Sequence, residues 1–321
     1  MFTMSFILKS EDEYEDLLGL WSDLESGLAM LLSYPYKVQE FSTRVEQYDR
    51  WMQNLIQYDT DVALYLLFQL ASRSPAGYSA SHALVCAVLC HLVAQEVQLP
   101  QHERDSLVHA ALTMNIAMTE LQDQLALQSG RPTPEQEDAL KAHEARGAQL
   151  LRDLDVQNAL WLLTVHRHHQ VQPFSQDLLS LPPAQRLVHI LNVVDRYAAM
   201  ISPRMSREGR SASESAKSIL KIGNLENNQV GETLVHVVGL FPPGTFVQLD
   251  DASIGVVLRR SQHDNRPDVA IVLNDNGQLM RPPALHSSAG GSPVINAALP
   301  ASTVQERVNH HLILQLGTRS V

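Results

Sequence analysis

Cysteine, positive charge and long apolar runs are all scarce in this chain. Its 321 residues include two cysteines, Cys86 and Cys90, which is too few for a disulfide framework or a four-thiolate zinc site, and we interpret both as small buried side chains. The 24 lysines and arginines are outnumbered by 35 aspartates and glutamates, giving a formal charge of −11. This charge argues against nonspecific binding to DNA or to an anionic membrane surface.

The chain also lacks an obvious membrane or export segment. No run approaches the roughly 18 uninterrupted apolar residues that span a bilayer. The opening residues, MFTMSFILKSEDEYEDLL, place no basic residue before their short apolar stretch and an acidic run after it. This arrangement does not fit a secretory signal, so we expect a cytoplasmic protein without a membrane partner.

Apolar residues recur at three- and four-residue intervals through the first three quarters of the chain, which predicts helices. The predicted helices are 11–32, 37–56, 61–72, 80–97, 102–127, 134–153, 156–169, 183–201 and 211–222. Thr133, Pro134 and Gln136 form a typical helix start, with Thr133 as N-cap. The sequence therefore predicts a mainly α fold.

The pattern changes at Phe241. FPPGTFVQL, SIGVVLRR and DVAIVLN are short β-type runs separated by turn residues, which predicts a small antiparallel sheet. We interpret residues 281–302 as loop and NHHLILQLG as a closing strand. With a boundary at RSPAGYS, the prediction is an N-terminal helical region over 1–76, a helical bundle over 77–240 and a β-rich tail over 241–321 packed on the bundle.

Fourteen histidines make an unusually high count, and several fall on separate predicted helices. Residues able to bind a metal occur on four of these segments, namely His82, His143, His168, His169 and Asp195. Imidazole nitrogens with a carboxylate oxygen suit iron, manganese or zinc. Histidines scattered over a helical protein are more often surface or hydrogen-bonded core residues, so residue types alone favour the structural interpretation.

The order of these segments resembles the HD-GYP family of HD-superfamily metal-dependent phosphohydrolases. The carrying residues are Tyr78 to His82, ALTMNIAM at 111–118, Lys141-Ala-His143 with Gly147, HHQVQPF at 168–174, VVDRYAA at 193–199 and SPRMSR at 202–207, followed by the β-type tail. The resemblance covers residues 78 to about 285. It implies an HD-type helical bundle enclosing two or three iron or manganese ions and hydrolysis of cyclic di-GMP. The metal ligands that it implies are His82, His143, His168, His169 and Asp195.

Two implied ligands are exchanged in this chain. Met114 and Asn115 stand where the family has its His-Asp pair, Met118 replaces the following lysine, and Gln170 replaces the glutamate of the family's HHE. Asparagine carries no charge to compensate two cations, and a methionine sulfur is a soft ligand poorly suited to ferrous iron or manganese. We therefore expect the dinuclear centre to be lost or weakened, with ligands remaining for one residual iron, manganese or zinc ion.

The resemblance also places Arg204 and Arg207 at the family's phosphate-binding arginines, and guanidinium groups suit phosphodiester oxygens. The alternative is that both are solvated loop residues.

We expect a degenerate HD-GYP-type signalling protein that binds cyclic di-GMP or another small phosphodiester with impaired or absent hydrolysis. A working phosphodiesterase with a rearranged site and a structural interaction protein without nucleotide are the rivals. The amphipathic N-terminal helices are compatible with a homodimer interface, a sensor or packing on the bundle, and packing is the default interpretation. A signalling protein partner is a further expectation.

Overall fold

The structure is a computed structural model, and it describes residues 13–73, 77–170, 177–205, 209–221, 228–260, 266–300, 303–304 and 308–318. Helices dominate it, which confirms the mainly α prediction. The helices are α1 Glu13–Ser33, α2 Phe41–Tyr58, α3 Thr60–Arg73, α4 Tyr78–Glu96, α5 Gln101–Thr113, α6 Thr119–Leu127, α7 Pro134–Asp153, α8 Ala159–Arg167, α9 Pro183–Ile201, α10 Ala212–Lys221, α11 Gln229–Val238 and α12 His310–Thr318.

Helix α4 is the central element of the bundle. It packs against α1, α3, α5, α6, α9 and α11, and every residue from Ser79 to Ala94 is buried. Apolar side chains on all faces are what a fully surrounded helix requires. By length and composition α4 would also pass for a membrane span, but 89% of its apolar window is buried inside the protein, as in the core helix of a soluble protein.

The predicted helix over 102–127 is interrupted where the exchanged pair lies. Helix α5 ends at Thr113, Met114 and Asn115 form a turn, and a 3₁₀ turn over Ile116–Met118 leads into α6. The amide of Met118 donates to the carbonyl of Asn115 at 2.8 Å, the three-residue spacing of a tighter helix. Helix α7 approaches closely here, since a Cβ on Gly147 would lie 3.6 Å from the carbonyl oxygen of Met114.

The tail forms one five-stranded antiparallel sheet with the order β4-β3-β2-β1-β5. Its strands are β1 Phe246–Leu249, β2 Ile254–Arg259, β3 Asp268–Leu273, β4 Leu279–Ser287 and β5 Ile295–Leu299. The loop prediction for 281–302 was wrong, because most of β4 and all of β5 lie there. Prolines 282 and 283 are tolerated because β4 is an edge strand, where a missing N–H costs no ladder bond.

The closing strand predicted for NHHLILQLG was also wrong, because these residues form α12. Ile313 and Leu314 of α12 are buried in the main core. This core also contains Trp21 of α1 and Val256 of β2, so the N-terminal helices, the bundle and the sheet share it. The division into three regions at 76 and 240 stays a prediction.

Ion pairs also join the sheet to the N-terminal helices. A guanidinium nitrogen of Arg259 lies 2.8 Å from Asp59 Oδ2, and Arg260 Nε lies 2.5 Å from Asp61 Oδ1. All four side chains are partly buried, which makes these pairs less screened than surface pairs. These pairs place the sheet in direct contact with the N-terminal helices.

Candidate metal and phosphate site

The site begins at the first turn of α4, which α6 holds in place. The Asp123 carboxylate accepts hydrogen bonds from the Ser79 amide at 2.7 Å and from the Ser79 hydroxyl at 3.0 Å. Gly77 precedes the helix with φ of 108°, and an added Cβ would lie 3.1 Å from the same carboxylate. Glycine is therefore favoured both by the backbone angle and by the available space.

Helical spacing then brings Tyr78 and His82 onto one face of α4. Their rings stack with centroids 5.5 Å apart and planes 12° from parallel. His82 is nearly inaccessible to solvent, so the stacked tyrosine forms one wall around its imidazole. The first turn of α4 thus sets the orientation of a candidate metal ligand.

His82, Cys86 and Asp195 form the first of two candidate ligand groups, here called the mixed triad. One ligand atom from each residue lies within 4.8 Å of the others. His82 Nε2 is 2.8 Å from Asp195 Oδ1 and 3.7 Å from Cys86 Sγ. His82 Nδ1 is buried and has no hydrogen-bond partner among the described residues.

The electrostatics of the mixed triad favour an ionised Asp195. Burial opposes ionisation, but the hydrogen bond from His82 and the electrostatic effect of the surrounding imidazoles outweigh it, and the pKa of Asp195 falls to about 2. Burial and the nearby Asp195 carboxylate both raise the pKa of the Cys86 thiol. The metal-free triad at neutral pH therefore contains a carboxylate anion beside a neutral thiol.

His143, His168 and His169 form the second group, here called the histidine triad. His143 Nδ1 is 2.5 Å from the carbonyl oxygen of Leu140, and His168 Nδ1 is 2.8 Å from that of Val165. A carbonyl oxygen can only accept, so both Nδ1 atoms donate and carry the ring proton in the neutral tautomer. Both Nε2 atoms are then left with a lone pair.

These two lone pairs face each other, because His143 Nε2 and His168 Nε2 are 3.1 Å apart. Two unprotonated nitrogens at this distance repel unless a cation lies between them. Two ligand nitrogens on a tetrahedral zinc are separated by about 3.3 Å. A backbone carbonyl holding the far nitrogen of each ring is the usual support for a metal-bound histidine. The histidine triad therefore fits a divalent metal.

Burial keeps these imidazoles neutral, as metal ligation requires. Burial lowers the pKa of His168 to about 3, with a further lowering by neighbouring His169 and an opposing effect of Asp195. Burial likewise lowers the pKa of His143. The carboxylate of Asp195 acts on both histidines, so the two triads lie within electrostatic range of each other.

The structure thus places all five sequence-predicted ligands in one region of the bundle, divided between two groups. Helix α9 serves both, because Asn192 donates its amide to the His168 carbonyl at 2.9 Å and Asp195 follows one turn later. Whether a metal is bound by these residues stays a prediction. In each triad, three ligand atoms leave a coordination position for water or substrate.

Neither residue of the exchanged pair belongs to a triad. Met114 is fully buried, and the Asn115 side-chain oxygen is buried with no hydrogen-bond partner among the described residues. Among the residues that the structure describes, the sole carboxylate in either triad is that of Asp195. The histidine triad therefore has no carboxylate, and the mixed triad has one.

Arg204 lies at the edge of the site and reaches it through Tyr78. Its terminal nitrogen donates to the Tyr78 hydroxyl at 2.7 Å, and its guanidinium carbon lies 4.6 Å from the centre of the Tyr78 ring. Since Tyr78 stacks on His82, the guanidinium is one side chain away from the mixed triad. Arg207, the other predicted phosphate contact, lies outside the described residues.

Sequence patterns did not identify two residues at the triads as functional candidates, Cys86 in the mixed triad and Glu144 beside the histidine triad. Cys86 follows His82 by four residues on one helix, and this spacing was a visible signal that they share a face. Glu144 directly follows His143, and its carboxylate accepts a hydrogen bond from the His169 amide at 3.0 Å. Nothing in the sequence linked Glu144 to His169, because they are 25 residues apart.

Comparisons with known proteins concern the sequence relationship and the fold. No protein-family model matches the chain. It is 27% identical over 194 residues to the cyclic di-GMP phosphodiesterase PA4108 of Pseudomonas aeruginosa, an alignment that covers 57% of this chain and 45% of that protein. The chain therefore spans less than half the length of this relative.

A solved structure with the same fold is Bd1817, a HDG"Y"P protein from Bdellovibrio bacteriovorus. Its TM-score is 0.52 at 15% sequence identity, and the superposition covers 73% of this chain and 74% of that chain. At this identity the likeness concerns the fold. Together the two comparisons confirm the resemblance that the motif order indicates.

Proposed function

We propose that this chain, an HD-GYP-type protein by fold and by sequence relationship, binds cyclic di-GMP or another small phosphodiester as part of a signalling function, with little or no hydrolysis. The observation that carries the proposal is that the uncharged pair Met114-Asn115 stands where the resemblance implies a His-Asp pair, while the five other implied ligands lie in the two triads.

The missing charge matters most for a dinuclear centre. Two divalent ions about 4 Å apart repel each other with four times the energy of two unit charges at that distance. A bridging carboxylate offsets this repulsion, whereas a neutral asparagine does not. Either triad has enough ligands for one ion, but without a bridging carboxylate the repulsion opposes filling both, so a mononuclear site is what the remaining ligands support.

A bound metal would supply Lewis-acid polarisation of a phosphate oxygen and a water of lowered pKa. The chain's own residues would do the rest of the recognition. Arg204 is positioned by Tyr78 to donate to a phosphodiester oxygen, and its planar guanidinium suits paired oxygens. Tyr78 therefore couples the phosphate-binding arginine to the metal-ligand helix.

Binding and turnover separate this proposal from its rival. We expect manganese- or iron-loaded protein to bind cyclic di-GMP, measured by calorimetry, and to release negligible product, measured by chromatography. Arg204→Ala should weaken binding, whereas Arg210→Ala should not. Arg210 is a matched control because its guanidinium contacts Met200 and Ser218 on the exposed surface instead of Tyr78.

The rival is an active phosphodiesterase with a rearranged site. It is favoured by the presence of five ligands that the resemblance implies, His82 and Asp195 in the mixed triad and all three residues of the histidine triad, and by the activity in the name of the Pseudomonas relative. Turnover comparable to that of an intact HD-GYP enzyme, abolished by His168→Ala, would establish the rival. If metal-loaded, folded protein neither binds nor hydrolyses cyclic di-GMP, the proposal and its rival are both contradicted.

A further inference from the structure

We propose that Cys86 is a metal ligand and that its thiolate sulfur gives the mixed triad a preference for zinc over manganese or ferrous iron. The inference rests on the proposed function in one respect, since both require a divalent metal at this part of the bundle. It adds a ligand that the motif order does not contain.

The backbone of α4 brings the sulfur to the site. Cys86 lies four residues after His82, so both side chains project from the same face of the helix. Cys86 Sγ is 3.7 Å from His82 Nε2. A tetrahedral zinc bound at about 2.3 Å to sulfur and 2.0–2.1 Å to nitrogen separates these two atoms by about 3.6 Å. The observed spacing therefore needs little adjustment for both atoms to bind one ion.

Asp195 completes this donor set from a different helix. Its Oδ1 is 2.8 Å from His82 Nε2, and its side chain retains 14% exposure while that of His82 retains 2%. The triad is thus accessible from the Asp195 side and closed at His82 and Cys86. One nitrogen, one sulfur and one oxygen form a three-ligand site with a free position for water or a phosphate oxygen.

Donor chemistry then sets the metal preference. Thiolate sulfur selects zinc and other soft or borderline ions, whereas manganese and magnesium prefer carboxylate and water oxygens. Binding would break the Cys86 S–H bond, form a sulfur–metal bond and release that proton to solvent. His82 Nε2, which donates its proton to Asp195 in the metal-free protein, would bind the metal instead, and the imidazole proton would move to Nδ1. Met114 would not compete with this preference, because a thioether is a neutral and weaker ligand than a thiolate.

Cys90 provides an internal control. It lies one helical turn beyond Cys86, is equally buried, and belongs to neither triad. The chain contains no other cysteine. A sulfur–metal signal in Cys90→Ala would therefore come from Cys86 alone, without relying on a Cys86 variant that folds.

The test uses Co²⁺ as a spectroscopic probe in the full chain. Reduced, metal-free protein is titrated with Co²⁺, and absorbance is followed for the near-ultraviolet charge-transfer band of a cobalt thiolate. We expect the band in the parent and in Cys90→Ala, and its loss in Cys86→Ala. Zn²⁺ should displace the Co²⁺ and abolish the band. Competition should also show at least about a tenfold loss of Zn²⁺ affinity in Cys86→Ala, with a smaller change for Mn²⁺.

The outcomes distinguish this inference from the proposed function. Co²⁺ retained by the parent and by Cys90→Ala without a charge-transfer band would overturn the role of Cys86 and leave the metal site intact. No retention of Co²⁺, Zn²⁺ or Mn²⁺ by folded protein would overturn the metal site itself. A band that persists in Cys86→Ala and disappears in Cys90→Ala would identify Cys90 as the thiolate ligand and would also refute the inference.

Discussion

Restoring the exchanged pair should make the stability of this protein depend on metal. In Met114→His/Asn115→Asp, a fully buried thioether is replaced by an imidazole and a neutral amide by a carboxylate. Without metal, the variant loses part of the roughly 1.5–3 kcal/mol that a buried methionine contributes, and an unpartnered buried polar group costs about 1–3 kcal/mol more. The metal-free variant should therefore be less stable than the parent by roughly 2–5 kcal/mol.

The metal should offset much of this loss. At a free concentration one hundred times the dissociation constant, a ligand stabilises the native state by about 2.7 kcal/mol. A chain of 321 residues has an unfolding entropy of about 0.7 kcal/mol/K. The melting temperature of the variant should thus be about 3–7 °C below that of the parent without metal and rise by about 4 °C on binding. The parent should gain less at the same metal concentration.

The assay compares parent and variant after loading with Mn²⁺, desalting and measurement of metal by plasma emission, with thermal unfolding on the same samples. Metal per chain should be higher in the variant. Adding His143→Ala to the double variant is the control, because it removes a ligand of the histidine triad. A folded double variant that retains no more metal than the parent would show that positions 114 and 115 do not face the triads.

Three other perturbations test the scaffold. Asp123→Ala removes the partner of the Ser79 amide and hydroxyl, so urea unfolding should show a loss of about 0.5–2 kcal/mol, and Asp123→Asn should recover part of it. Burial lowers the pKa of His189 to about 4, so its stabilising effect is complete above the unfolded pKa of about 6.5 and is lost as the pH falls towards 4. At pH 5 the free energy of unfolding of the metal-free protein should therefore be lower by up to about 2 kcal/mol. A parent whose stability does not change with pH, or a His189→Gln variant with the same pH dependence as the parent, would contradict this expectation. Arg259→Ala breaks the pair with Asp59 and should cost roughly 1–3 kcal/mol in urea unfolding, whereas no loss would show that the sheet does not depend on this contact.

The candidate site was predictable in its membership more than in its arrangement. The order of His82, His143, His168, His169 and Asp195 along the chain matched a known motif order, and all five lie in the two triads. Their division into a mixed triad and a histidine triad was not predictable. It depends on how the helices are rotated and packed against one another, which no spacing within a single helix specifies.

The tail shows a different reason for failure. Two prolines interrupt the alternation in β4, and Gly290 and Gly291 lie between β4 and β5, so local sequence gives a weak strand signal here. Pairing with the neighbouring strands determines the strand conformation instead. In α12, nine residues are too few for periodicity to distinguish a helix from a strand. Packing of Ile313 and Leu314 on the shared core decides between them.

By itself the sequence determined the helical character of the bundle, the excess of acidic over basic residues and the absence of a carboxylate at Asn115. These properties follow from residue type and local periodicity. Tertiary structure alone decided that Asp195 joins His82 and Cys86, and that Arg204 reaches the site through Tyr78. Such contacts join residues more than 100 positions apart, and the free energy that selects them comes from burying whole helix faces.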